Sequence, residues 1–325
     1  MQDDALRHGL PASRDSATFS LLIDDWWKMS SVSNLLRALL ASVLIALNIA
    51  VHVTPLLLLA LLKLVVPITD FRRAASCWLV AIAESWISVN SALFRLLGRT
   101  TIHVELPQGL RHDGRYLVFA NHQSWVDIPV LQSVFNQRIP FLRFFLKEQL
   151  IWVPVMGLAW WALDFPFMKR TSKAQLARRP DLRGSDVAAT RRACEKFRDI
   201  PVSVMNFVEG TRFTSAKHDR QRSPFRHLLK PRAGGIALVL ESMGAMLDAA
   251  IDVSIVYPQG RPTMADLVCG RIRDVRVDVH VVAIPADLIG GDYENDPAFR
   301  KRVQAWVNQR WTAKDAAIDA LVSDD

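Results

Sequence analysis

The stretch FANHQSWVDIPVL, Phe119–Leu131, decides how this chain is read. It sets a histidine and an aspartate in the seam between two apolar runs. YLVFA before the histidine reads as a buried strand, and IPVLQSVF after the aspartate reads as a helix packed on a core. His122 and Asp127 stand five positions apart. On one straight helix that spacing is a rotation of about 140°, and in one strand it gives opposite faces. The two side chains meet only if the backbone turns between them, with His122 in a strand-to-helix turn and Asp127 in the first helical turn. Loops leaving a sheet are where catalytic groups collect. A second use competes for the aspartate. Ser124-x-x-Asp127 approximates a capping box with Asp in place of Glu, and Pro129 suits an early helical position. Capping leaves the histidine without a role.

Outward from this turn, strands and helices alternate. Strands are expected at Thr101–Leu106, Arg115–Ala120, Arg143–Lys147, Phe165–Lys169, Pro201–Val208, Asp252–Tyr257, Met264–Cys269 and Val275–Val282. Helices are expected from the turn to Phe135 and over Ile151–Leu163, Ser185–Phe197, Gly234–Met243 and Pro297–Trp311. For Ile151–Leu163, the tryptophans at 152, 160 and 161 leave two readings open, a core helix or a lipid-facing wall. The alternation predicts one α/β domain with a mixed central sheet flanked by helices. Its expected bounds are 99–312, followed by a C-terminal tail at 313–325.

The 325 residues are half hydrophobic, with ten tryptophans, which favour membrane interfaces. Residues 1–30 are polar and mixed in charge, without the basic start and apolar core of a secretory signal. The segment 31–98 is expected to be membrane-associated and helical. Within it, residues 38–62 run 25 positions without Asp, Glu, Lys or Arg, enough as a helix to cross ~30 Å of hydrocarbon. Pro55 either kinks that helix or separates two short ones, Leu35–Thr54 and Leu56–Val66, as a hairpin dipping into one leaflet. His52 would then sit near a bend at the surface. Ala74–Leu97, charged only at Glu84 and Arg95, reads as an amphipathic helix against bilayer or domain.

Net charge is +8, which on its own admits nucleic acid, anionic lipid or phosphorylated small molecules. Residues 169–232 hold 17 Lys or Arg against 6 Asp or Glu, and this cluster brackets a strand end and a glycine turn, as a phosphate-binding rim does. EGTR, Glu209–Arg212, follows an apolar strand. Gly210 permits close backbone approach, and Arg212 offers a planar donor fork. Lys230-Pro231-Arg232-Ala233-Gly234-Gly235 adds two cations and two glycines before a helix, where amide groups can receive an anion. No P-loop, dinucleotide fingerprint or G-x-S-x-G elbow is present. Cys77, Cys194 and Cys269 lie too far apart for a CxxC site. The basic region lacks the interleaved aromatics of a nucleic-acid groove. A histidine near its working pKa, steadied by a carboxylate, can deprotonate an alcohol, so the simplest chemistry uses a substrate hydroxyl as nucleophile.

Asn121-His122-Gln123-Ser124-Trp125-Val126-Asp127 resembles the NHxxxxD motif of the glycerolipid acyltransferases. Val208–Arg212 resembles their EGTR block, Phe167-Met168-Lys169-Arg170 stands where an intervening motif ends in Arg, and Ile255-Val256-Tyr257-Pro258 resembles a late block ending in proline. The resemblance spans roughly residues 85–285, and its nearest subgroup is the lysophosphatidic acid and lysocardiolipin-type enzymes. It implies a glycerol-3-phosphate acyltransferase-like fold on a bacterial-type inner (cytoplasmic) membrane, with the catalytic domain on the cytoplasmic side. His122 would be the base and Asp127 its orienting group. Arg170, Glu209, Gly210, Thr211 and Arg212 would form the substrate phosphate site, with Lys169, Lys230 and Arg232 as a supporting basic rim. The donor would be acyl-CoA or acyl carrier protein, and the acceptor a lysophospholipid, 1-acyl-glycerol-3-phosphate first, lysocardiolipin or another second. No metal, redox cofactor or nucleic acid is implied. A lipid hydrolase and a non-catalytic anionic-lipid-binding module are the competing classes.

Overall fold

The uncharged run 38–62 lies inside one continuous helix, α1 (Val32–Val65), in the computed structural model, which describes residues 32–168, 194–195, 197 and 200–323. Pro55 sits within that helix, so of the two expectations the single helix is found and the separation at Pro55 is not. A proline removes one helical hydrogen bond, but the apolar, helix-forming run after it resumes at once and packs on neighbours. The hairpin instead turns at Val66-Pro67-Ile68, where polar Thr69 and Asp70 open α2 (Thr69–Gly98). Polar side chains join the two helices. Asn48 Nδ2 donates to Asn90 Oδ1 (2.9 Å), and His52 Nε2 lies 3.1 Å from Ser85 Oγ. His52 thus serves the helix interface rather than a bend. Both α1 from Ala38 and α2 are long and apolar enough to cross a membrane.

Eight strands follow among the described residues: β1 (Thr101–Glu105), β2 (Arg115–Ala120), β3 (Leu142–Phe144), β4 (Leu146–Lys147), β5 (Phe167–Met168), β6 (Val202–Phe207), β7 (Ala249–Val256) and β8 (Asp274–Val282). Six form a mixed sheet in the order β1-β8-β7-β2-β6-β3, with β7–β8 the antiparallel pair. The run expected as one strand at 143–147 divides between this sheet and a separate β4–β5 pair. Helices α3 (Asp127–Phe135), α4 (Met156–Ala162), α5 (Ser215–Gln221), α6 (Gly234–Met243), α7 (Met264–Val268) and α8 (Pro297–Ser323) complete the described elements.

β2 is buried on both faces, which is why it reads as a continuous apolar run. Tyr116, Val118 and Ala120 share a core with Leu56, Leu79, Val130 and Leu131 from α1, α2 and α3. Leu117 and Phe119 point the other way, into a core with Ile236 and Leu240 of α6 and Val303, Val307 and Trp311 of α8. The chain leaving β2 passes through α3 to β3, beyond β6, while the chain leaving β6 passes through α6 to β7, beyond β2. The two connections diverge to opposite faces, and the crevice at the carboxyl ends of β2 and β6 is a topological switch point, where open sheets bind their ligands.

Two further expectations give way. Met264–Cys269 is the short helix α7 and not a strand, because Thr263 and Asp266 form a reciprocal capping box that starts a helix. Residues 313–323 are no tail, since α8 runs through them with Lys314 and Ile318 buried. Lys169, Arg170 and most of the helix expected at 185–197 lie outside the described residues; Cys194 and Glu195 are helical.

Candidate functional site

His122 follows β2, and Asp127 opens α3. Between them the chain turns, and the side chains meet: His122 Nδ1 lies 2.8 Å from Asp127 Oδ2. Asp127 is fully buried and fully employed. Its Oδ2 also accepts from the main-chain N–H groups of Gln123 (2.7 Å) and Ser124 (2.9 Å), and its Oδ1 accepts from the Tyr257 hydroxyl (2.7 Å). Half of the expected capping box therefore forms, Asp127 reaching back to Ser124 N–H, and the same carboxylate serves the histidine. Because Asp127 only accepts, Nδ1 carries the imidazole proton and Nε2 presents a lone pair. The ring stacks on Phe207 at a centroid distance of 3.9 Å.

The turn is clamped from several sides. Asn121 exchanges two hydrogen bonds with Ile255 of β7, its Nδ2 donating at 2.9 Å and its Oδ1 accepting at 2.8 Å. The Ser124 hydroxyl donates to Pro262 O (2.5 Å) and accepts from Val126 N–H. That hydroxyl is committed to the loop. Burial pushes the Cys194 thiol up to about 12. Neither is an activated nucleophile.

Glu209-Gly210-Thr211-Arg212 leaves β6 beside this turn. Glu209 faces inward rather than toward a ligand. It is buried, and its Oε1 accepts from His122 N–H at 3.2 Å. Burial raises the Glu209 carboxyl to about 8, with the backbone N–H groups of His122 and Leu229 pulling the other way. Gly210 has a φ of 67°, which glycine adopts without strain. Lys217 Nζ donates to Thr211 Oγ1 and Arg212 O, both at 2.8 Å, and Phe213 N–H donates to His122 O at 2.7 Å. The Arg212 guanidinium lies 4.9 Å from the centre of the Trp125 ring. Arg232 N–H donates to Val208 O, which places that residue next to the EGTR loop. Lys230 is exposed. The glycine pair beside it answers a packing demand, since a Cβ on Gly235 would lie 2.0 Å from Asn206 Nδ2.

Three contributors escaped the sequence reading: Tyr257, Lys217 and Arg261. Burial first, then the neighbouring Asp127, holds the Tyr257 hydroxyl well above the usual tyrosine range, so it remains a donor. The Arg261 guanidinium lies 3.9 Å from the centre of the Phe213 ring. Neither Arg212 nor Arg261 has a carboxylate within 4 Å among the described residues. The available signal was position, as Tyr257 and Arg261 fall in the loop leaving the fully buried β7.

A family model described as "Acyltransferase" matches residues 101–258. A probable 1-acyl-sn-glycerol-3-phosphate acyltransferase 5 of Arabidopsis thaliana is 25% identical over 251 residues, covering 74% of this chain and 62% of the plant protein. Lysocardiolipin acyltransferase 1 of Gallus gallus is 24% identical over 250 residues, covering 72% and 61%. The chain thus spans about three fifths of the length of these relatives. A crystal structure of the 1-acyl-sn-glycerophosphate acyltransferase of Thermotoga maritima superposes with a TM-score of 0.49 at 17% identity, covering 85% of this chain and 97% of that one.

Proposed function

We infer, from the membership of residues 101–258 in the acyltransferase family, that this protein transfers an acyl group from a thioester to the free hydroxyl of a lysophospholipid. The observation that carries the reading is the His122–Asp127 pair at 2.8 Å, its carboxylate held by three further donors. In this reaction His122 Nε2 takes the proton of the acceptor hydroxyl as its oxygen attacks the thioester carbonyl. The tetrahedral intermediate collapses with loss of the thiolate, which receives the proton from the imidazolium. One ester forms and one thioester breaks. Asp127 keeps the imidazole in the tautomer that leaves Nε2 free and stabilises its protonated form. Tyr257 and the two backbone N–H groups hold Asp127 in place.

Arg212 and Arg261, each resting on an aromatic ring and without a carboxylate within 4 Å among the described residues, supply forked donors to the acceptor phosphate. Lys230 and Arg232 extend that basic surface, and Gly210 and Thr211 shape the loop; the motif resemblance assigns Arg170 and Lys169 to the same role. Glu209 acts from beneath, by holding the His122 main chain. The preferred acceptor is 1-acyl-glycerol-3-phosphate, which gives phosphatidic acid. Acyl-CoA or acyl carrier protein brings the donor from the cytoplasmic side, while acceptor and product stay in the bilayer beside the N-terminal helices.

Purified full-length protein is to be incubated with radiolabelled acyl-CoA or acyl carrier protein and a panel of lysophospholipids in mixed micelles. A diacyl phospholipid is the expected product, formed fastest from 1-acyl-glycerol-3-phosphate. Release of free fatty acid at the same rate with or without acceptor would identify a hydrolase instead.

A further inference from the structure

Between β4 and β5 the chain forms a 3-10 turn, Glu148–Trp152, and then α4, and together they present apolar side chains outward. Trp152 is 84% exposed, and Val153, Val155, Leu158 and Trp161 are exposed with it. The opposite side of α4, Gly157, Ala159 and Ala162, is buried. This presentation is built into the backbone. Val155 holds a φ of 65°, a strained value for a β-branched residue. Gly157 packs so closely on the preceding turn that a Cβ would lie 2.0 Å from Ile151 O. A face of this kind exceeds the scattered apolar residues of an ordinary soluble surface.

What covers it follows from its neighbours. α4 packs against the C-terminal part of α1, where Leu58, Leu61, Leu62, Leu64 and Val65 are exposed as well. The apolar surface of the hairpin thus continues onto α4. The charges at this junction, Lys63 and Asp164, pair with each other at 3.2 Å. Ionisable groups set in lipid pair in this way, and the pair offers no free charge to a protein partner. Exposed Lys147, Glu148 and Gln149 border the patch on one side, and tryptophan prefers the boundary between headgroups and hydrocarbon.

We propose that the 3-10 turn and α4 are a second seat in the bilayer, entering the same leaflet as α1 and α2 with Trp152 and Trp161 on the hydrocarbon side of the headgroup boundary. Two seats, unlike one, stop the α/β domain from swinging about the hairpin and fix its orientation over the lipid surface. The proposal rests on the membrane seating of the N-terminal helices.

Spin labels test it in the full chain with Cys77 and Cys269 changed to serine; Cys194 is buried and stays unlabelled. Single labels are placed at Trp152→Cys and Leu158→Cys in the proposed seat, Val43→Cys on α1, and exposed Gln309→Cys on α8. Each is reconstituted in phosphatidylethanolamine–phosphatidylglycerol vesicles, and collisions with oxygen and with a water-soluble nickel chelate are compared. Labels at 43, 152 and 158 are expected to collide mainly with oxygen, and the label at 309 with nickel. Nickel access at 152 and 158 with oxygen access at 43 overturns the second seat and spares the hairpin. Nickel access at all three positions overturns the membrane seating itself, and the second seat with it. Spin–spin broadening at 158 that disappears on dilution with unlabelled protein shows a second copy covering the patch, which also overturns the proposal.

Discussion

At His122 the expected loss is the largest. Replacement by alanine removes the base, and acyl transfer should fall about a thousandfold with an unchanged circular dichroism spectrum; near-normal turnover would remove His122 from the chemistry. Tyr257→Phe deletes one charge-assisted hydrogen bond to Asp127, worth ~1.5 kcal/mol, so kcat should drop up to about tenfold. His122 and Asp127 were legible because their spacing works in no single element and forces a turn. Tyr257 was not, because it reaches Asp127 across 130 positions of sequence. EGTR was legible as a loop, yet its four letters do not tell which way the carboxylate points. Glu209 points inward, and this has a pH signature. Its folded value of about 8 exceeds the ordinary 4.5, so the folded chain binds more protons between those values. The stability it contributes is complete below pH 4.5 and is lost as the pH rises through about 8. Glu209→Gln keeps an acceptor for His122 N–H and should flatten this part of the stability–pH curve; identical slopes for both proteins in urea titrations would contradict the buried assignment. Arg212→Lys keeps its charge but loses the fork, so the KM for lysophosphatidic acid should rise by about tenfold, the worth of one charge-assisted bond. Unchanged kinetics would place the acceptor phosphate elsewhere.

Among the elements, α8 departs most from its sequence reading. Its amphipathic pattern was recognisable as far as Trp311, and the helix continues to Ser323. In the fold Lys314 is fully buried, ion-paired with Asp252 and donating to Val253 O and Ser254 Oγ, with its ammonium 5.4 Å from the Trp311 ring centre. A single charge inside a helix does not disclose the partner that neutralises it. From its sequence α7 reads as a strand, although Thr263-Met264-Ala265-Asp266 carries the start signal of a helix. Pro55 leaves a single helix and a pair of short ones both open, and the structure takes the single helix, which packing holds where propensity alone would interrupt it. Lys314 carries its own prediction. Alanine there leaves Asp252 buried without its cation, which should cost ~3–5 kcal/mol, read as a lower midpoint in urea. Lys314→Met fills the volume, and with Asp252→Asn beside it much of that loss should be recovered. A single alanine variant as stable as the parent would show that the pair contributes nothing to folding.

For the whole molecule, the hairpin turns at 66–68, and Arg72 and Arg73 lie in the opening of α2 just after that turn, as Lys63 lies just before it at the end of α1. Arg37 marks the entering end, and Arg95 and Arg99 the returning one. Cations therefore stand at both ends of the hairpin, where one straight crossing would send one group to the side that basic residues avoid. The fold gives an independent reason. α1 is about 51 Å long at 1.5 Å per residue, yet Lys63 near its far end is paired to Asp164 of the α/β domain. A hairpin projecting straight through the bilayer would carry Lys63 away from that partner. The helices should instead lie against the domain, within the leaflet it faces, so that entry, turn and exit share one side. Cysteine reporters near residue 15, at 67 and near 320, in the chain lacking Cys77 and Cys269, are to be labelled with an impermeant thiol reagent in sealed, oriented vesicles. The sites near 15 and 320 should react from the cytoplasmic face, and position 67 should not react from the opposite face. Labelling of 67 from the far side alone would mean that the hairpin crosses completely and that the Lys63–Asp164 pair does not persist in the membrane. Labelling of 15 and 320 from different sides would mean that the chain crosses an odd number of times, which two antiparallel helices cannot do.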